Sequence, residues 1–180
     1  LGVPGLFMKA HAADAGVLYI IDSIGGTPES VTEDCTDSAG GWSYDAGTAT
    51  LTLDGFQGEY IEANGDINIV LKGKNKITIS AESTEGIKST GKVTIDDTIS
   101  PVQDCLDIYC NDGTESVSMI YTGGFGADYA TYIVGGTVNL VEENTRRRYV
   151  TGISRWAYVE NDASLNINLS ADGEMVRLLC

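Results

Sequence analysis

Apolar and polar residues alternate with a period of two along much of the chain, the pattern of strands that turn one face to a core. Ile67, Ile69 and Leu71 fall on one side, and Asn68, Val70 and Lys72 on the other. The phase survives Gly73 and Asn75, with Lys74, Lys76 and Thr78 outside and Ile77 and Ile79 inside, so Lys72, Lys74 and Lys76 are expected on one outer strand face. An apolar–polar–apolar triplet then recurs: Leu51-Thr52-Leu53, Ile67-Asn68-Ile69, Val93-Thr94-Ile95, Val117-Ser118-Met119, Val138-Asn139-Leu140 and Leu165-Asn166-Ile167. Successive triplets start 16, 26, 24, 21 and 27 residues apart. Turn-forming pairs precede them, among them Asn64-Gly65, Thr90-Gly91 and Gly135-Gly136.

Units of about 20 to 30 residues are too small to bury their own apolar face and must stack on their neighbours. The pattern therefore predicts an all-β, single-domain parallel β-helix of about six coils. The outward residues Thr52, Asn68, Thr94, Ser118, Asn139 and Asn166 would form one column, spaced about 4.8 Å from coil to coil. Asn64-Gly65 also suits a two-residue hairpin, which makes an antiparallel β-sandwich the alternative. Residues 14–41 fit the repeat poorly and read as an N-terminal cap, with a strand at 17–21 and an acidic loop, ahead of coils over 42–180.

Composition supports one strand-rich domain: 180 residues, 22 Gly against 3 Pro, and 42% hydrophobic residues. A formal charge of −15 repels phosphate backbones and anionic lipid, so neither nucleic acid nor membrane insertion is expected. The single histidine, His11, removes a Ser-His-Asp triad and any multi-histidine metal site. Leu1 to Met8 is apolar, and Ala10-His11-Ala12-Ala13 fits a signal-peptidase site, so residues 1–13 read as a signal-peptide remnant and the domain as exported. Export permits disulfides among Cys35, Cys105, Cys110 and Cys180. An extended segment would hold Cys105 and Cys110 about 16 Å apart, beyond bridging.

The run Gly41-Trp42-Ser43-Tyr44-Asp45 through Thr50-Leu51-Thr52-Leu53, followed by Ala63-Asn64-Gly65-Asp66-Ile67-Asn68-Ile69-Val70-Leu71-Lys72-Gly73, resembles secreted and cell-surface proteins of gut-anaerobe bacteria. These are pectin-lyase-like β-helices of a carbohydrate-binding type, and the likeness lies mainly over residues 41–95. It implies a right-handed winding, a secreted or bacterial cell-surface location and an adhesive, glycan-binding role. Other surface proteins are further possible partners.

Catalysis is not expected. Asp96-Asp97, with Asp104 and Asp107 nearby, could supply paired carboxyls for a polysaccharide lyase or glycoside hydrolase. However, residues 93–145 hold nine Asp/Glu and no Lys or Arg, and the Gly-His-Gly and Arg-x-Lys elements of polygalacturonase-like proteins are absent. The same acidic stretch could hold a structural calcium, the one cofactor considered.

Basic residues are sorted: five of six Lys lie between 72 and 92, and four of five Arg between 146 and 155. Guanidinium forks bind carboxylates bidentately and aromatic faces cover sugar C–H surface. The candidate ligand-binding set is therefore Arg147, Arg148, Arg155, Trp156, Tyr158, Tyr121 and Tyr129. The expected function is non-catalytic binding of a polysaccharide or host glycan, with a structural or adhesive spacer as the alternative.

Overall fold

The computed structural model describes residues 17–80, 83–97, 104–110, 116–124, 127–142, 149–160 and 162–169. They are all-β, with a single 3-10 turn at Ala127–Tyr129 and no α-helix among them. Residues 1–13, Arg147, Arg148 and Cys180, for which a leader, a ligand site and a disulfide were expected, lie outside the described residues.

The first strands are β1 (Leu18–Ile21), β2 (Glu29–Val31), β3 (Cys35–Asp37), β4 (Trp42–Asp45), β5 (Thr50–Asp54) and β6 (Gln57–Gly58). Three-strand sets follow: β7 (Tyr60–Ala63), β8 (Ile67–Lys72) and β9 (Lys74–Ile79); β10 (Glu85–Ser89), β11 (Val93–Asp97) and β12 (Cys105–Cys110). The last two sets are β13 (Val117–Thr122), β14 (Thr131–Ile133) and β15 (Thr137–Glu142), then β16 (Val150–Ile153), β17 (Ala157–Val159) and β18 (Ser164–Leu169).

Each set gives one strand to each of three sheets. Sheet A has the order β16-β13-β10-β7-β1-β2, sheet B β17-β14-β11-β8-β5-β4-β3, and sheet C β18-β15-β12-β9-β6. Pairing between successive sets is parallel throughout, and β5 and β6 join sheets B and C in parallel too. Antiparallel pairing among the described residues is confined to β1–β2, β1–β7, β3–β4 and β4–β5.

Asn64-Gly65 does not close a hairpin. β7 and β8 belong to different sheets, and Gly65 (φ 115°) turns the chain between them. The hairpin is lost because β1 and β10 already occupy both edges of β7. Gly73 alone (φ 66°) turns β8 into β9, so Lys72 sits on sheet B while Lys74 and Lys76 sit on sheet C, which corrects the expected common face. The inside–outside phase survives that turn, because a one-residue corner rotates the sheet without shifting the alternation.

The expected single column also breaks up. Three triplets lie in sheet B, Val117-Ser118-Met119 in sheet A, and Val138-Asn139-Leu140 and Leu165-Asn166-Ile167 in sheet C. Only some outward neighbours pair, such as Asn68 with Thr94 and Asn139 with Asn166. The six triplets therefore do not mark six turns of one column. Every sheet uses the same alternation, so the pattern alone does not say which sheet a triplet joins.

Inward residues stack by kind: Ile20–Ile61–Ile87–Ile120–Ile153 in sheet A, Leu51–Ile69–Ile95–Ile133 in sheet B, and Ile77–Ile108–Leu140–Ile167 in sheet C. Buried residues of all three sheets form one hydrophobic cluster. Each fully buried Leu or Ile contributes about 1.5–3 kcal/mol relative to exposure. Trp42 and Tyr44 are buried at the N-terminal side, as the cap reading expects, with Trp42 Nε1 donating to Asp22 Oδ2 at 3.2 Å.

Candidate functional site

The solvent-facing side of sheet B carries two stacked tyrosines. Tyr132 and Tyr158 each stand second in a strand triplet, Thr131-Tyr132-Ile133 and Ala157-Tyr158-Val159, and the two strands pair in register. Their rings stack with centroids 4.8 Å apart and 12° between planes, close to the spacing of neighbouring strands. Trp156 lies just ahead of β17, two residues before Tyr158, and is 51% exposed. Lys92 Nζ sits 5.7 Å from the centre of the Tyr132 ring. The result is an open aromatic plate with a cation beside it.

Of the residues proposed from sequence, Trp156 and Tyr158 belong to this plate, and Arg155 immediately precedes it. Tyr129 lies in the connection into β14, where its ring covers Gly124: a Cβ there would come within 2.2 Å of it. Thr122 Oγ1 donates to the Tyr129 carbonyl and ties the connection down. Tyr121 is elsewhere, on sheet A, in register with Lys88. Tyr132 and Lys92 were absent from the sequence-derived set. The signal was available, since two tyrosines 26 residues apart occupy equivalent triplet positions, the same interval as Ile67 to Val93.

Around Lys88 the outer side of sheet A is internally paired. Lys88 Nζ meets Glu62 Oε1 at 2.9 Å, and the Tyr60 hydroxyl donates to Glu62 Oε2 at 2.9 Å. Burial would raise the Glu62 carboxyl, but the hydrogen bonds from Lys88 and Tyr60 outweigh it and hold it below its ordinary range. The Glu62 hydrogen bond raises Lys88. Burial, then Glu62, pushes the Tyr60 hydroxyl far up. Sheet C is similarly tied: Asn166 Nδ2 donates to Asn139 Oδ1 (2.9 Å), Asn139 Nδ2 to Asp107 Oδ1 (2.6 Å), and Lys76 Nζ lies 4.4 Å from the Tyr109 ring centre.

A second feature of sheet B went unread in the sequence. Between β3, β4 and β5 lies an open groove of about 410 Å³, lined by Asp34, Thr36, Ser43, Asp45, Thr50 and Thr52. A smaller hollow of about 190 Å³ adjoins it through Thr36, Ser43 and Thr52. Asp34 and Asp45 each spend one oxygen on a backbone N–H, those of Ala46 (2.9 Å) and Thr48 (3.1 Å).

The acidic residues considered for catalysis serve local structure. Asp96 Oδ1 accepts from Asp97 N at 2.8 Å, and Asp104 Oδ1 accepts from Gly73 N at 2.7 Å. Among the described residues, no three His, Cys, Asp or Glu converge as a metal site. Cys105 and Cys110 stand on one extended strand and face opposite ways, as the extended reading requires. Burial and then Asp107 raise the Cys105 thiol. Among the described residues no helix is long and apolar enough to cross a membrane.

No family model, curated protein or solved structure matches the chain.

Proposed function

We propose that the chain winds as a right-handed parallel β-helix and acts outside the bacterial cell as a non-catalytic carbohydrate-binding module. The observation that carries this reading is the stacked Tyr132–Tyr158 pair, with the half-exposed Trp156 two residues ahead of Tyr158. Such a plate buries the C–H face of a sugar ring, while its rim stays open to hydrogen bonding. Lys92 stands beside the Tyr132 ring, where a polar substituent of the sugar would lie. The winding is supported by the strict A–B–C order of the strand sets and their shared core. Non-catalytic action is supported by the carboxyls of Asp96, Asp104 and Asp107, each already engaged in structural hydrogen bonds.

Tryptophan fluorescence tests the reading directly, because Trp42 is buried and Trp156 is not. Titration with neutral and acidic polysaccharides should change the emission of the native protein and leave that of the Trp156→Phe variant unchanged. An unchanged native signal with every polysaccharide, together with no measurable binding by calorimetry, would overturn it.

A further inference from the structure

The register of sheet B carries the aromatic plate further than its own strands. Tyr158 pairs with Tyr132, Tyr132 with Thr94, Thr94 with Asn68, and Asn68 with Thr50. All five point away from the core, and Thr50 is itself a wall of the groove between β3, β4 and β5. The plate and the groove are thus two ends of one row. At one strand spacing per step the row runs roughly 19 Å.

We infer that the binding site extends along this whole row, from the Tyr132–Tyr158 plate across Thr94 and Asn68 into the groove at Thr50, and that it takes an extended, uncharged polysaccharide. The inference rests on the carbohydrate-binding reading and deepens it.

Polar chemistry along the row suits sugar hydroxyls. Thr50, Asn68 and Thr94 make no side-chain hydrogen bonds to one another, unlike the tied rows of sheets A and C, although the Thr50 hydroxyl is bonded to Thr48 beside it at 2.9 Å. Asn68 spends its amide N–H on the Thr48 carbonyl at 3.1 Å, which leaves its oxygen as an acceptor. In the groove, Ser43 and Thr52 add hydroxyls, and Asp34 and Asp45 each keep one oxygen beyond their backbone bonds. Neutral sugar hydroxyls can donate to those oxygens.

Charge decides against an acidic polymer. The exposed carboxylate of Asp96 flanks the row beside Val70, Asp45 and Asp34 stand in the groove, and the chain carries −15 overall. Lys72, the cation at the groove end, is paired with Asp54 at 3.1 Å. A uronic-acid chain would gain at Lys92, beside Tyr132, but would meet like charge at Asp96 and in the groove, whereas a neutral one meets none.

Calorimetry with size-fractionated oligomers of β-1,4-glucan and β-1,4-mannan, and of polygalacturonate as the acidic counterpart, tests this. Affinity for a neutral series should climb about tenfold or more, some 1.4 kcal/mol, until the oligomer reaches the row's length, and then level off. Replacing Thr50→Val and Asp45→Asn together should weaken long oligomers and spare short ones. Tyr158→Ala should weaken all lengths alike. Unchanged melting temperatures confirm that each variant folds. A flat length dependence, indifference of long oligomers to the groove variant, or tighter binding of polygalacturonate would overturn the extended neutral site while leaving the plate intact. Binding by none of the three series would overturn the carbohydrate reading beneath it, and binding indifferent to Tyr158→Ala would overturn the plate as its site.

Discussion

Asn75 is an inward position of β9, only 1% exposed, in a row otherwise filled by Leu106, Val138 and Leu165. Its Oδ1 accepts from Phe56 N at 2.9 Å, and its Nδ2 lies 3.3–3.4 Å from the carbonyls of Lys72, Gly73 and Cys105. The side chain thus gives the Phe56 N–H its acceptor and places its own amide against carbonyls around the tight turn at Gly73. Asn75→Ala should cost about 2–3 kcal/mol in urea unfolding, because a buried N–H and carbonyls lose their partner. Thr131 is the opposite case: fully buried, its hydroxyl has no hydrogen-bond partner. Thr131→Val should be neutral or stabilising by up to about 1 kcal/mol, and a loss of more than that would contradict the packing described. In the sequence both residues break the apolar pattern equally. Only the neighbouring backbone distinguishes a polar group that is satisfied from one that is stranded.

Glycine positions separate two kinds of constraint at the level of the element. A Cβ at Gly73 would meet nothing within 4 Å, so the demand there is for its positive φ alone. At Gly58 a Cβ would come 2.1 Å from the Phe56 ring and 2.4 Å from the Ile21 carbonyl oxygen, which forces backbone apart. Gly73→Ala should cost about 1–2 kcal/mol, the penalty of the left-handed region, and Gly58→Ala should lower the melting temperature further.

The Glu62–Lys88 pair bridges β7 and β10 and makes their pairing depend on pH. Glu62 is held below its unfolded value, so its contribution is present above that value and fades as pH falls through the folded one. Lys88 is held above its unfolded value, so its contribution is present below that value and fades as pH rises through the folded one. Both groups are largely solvent-screened, which limits the pair to about 1 kcal/mol or less. The urea midpoint difference between native protein and Lys88→Met should plateau between the ordinary values of 4.5 and 10.5 and shrink on either side. A difference constant across that range and beyond it would contradict the assignment.

Over the whole molecule, the strands and their inward residues were legible because alternation and turn pairs are local. The strand at 17–21 was expected and Leu18–Ile21 forms one, and every triplet lies on a strand. The assignment of strands to sheets was not legible. Paired positions in sheet B lie 26, 38 and 26 residues apart, because connections of different length intervene between equivalent strands. The candidate site was partly legible for the same reason. Trp156 and Tyr158 stand close in sequence, whereas Tyr132 joins them only through strand pairing, and the groove depends on β3, which the sequence placed in an acidic loop, pairing antiparallel with β4.

The plate of Tyr132, Tyr158 and Trp156 is the centre of the functional account, and electrophoresis through polysaccharide-containing gels tests it most directly. Native protein and the Trp156→Ala/Tyr158→Ala double variant would be run side by side, with and without neutral and acidic polymers. The account predicts that a neutral polymer retards the native protein, and that the variant migrates as it does in a plain gel. Equal retardation of both proteins, or of neither in any gel, would contradict it.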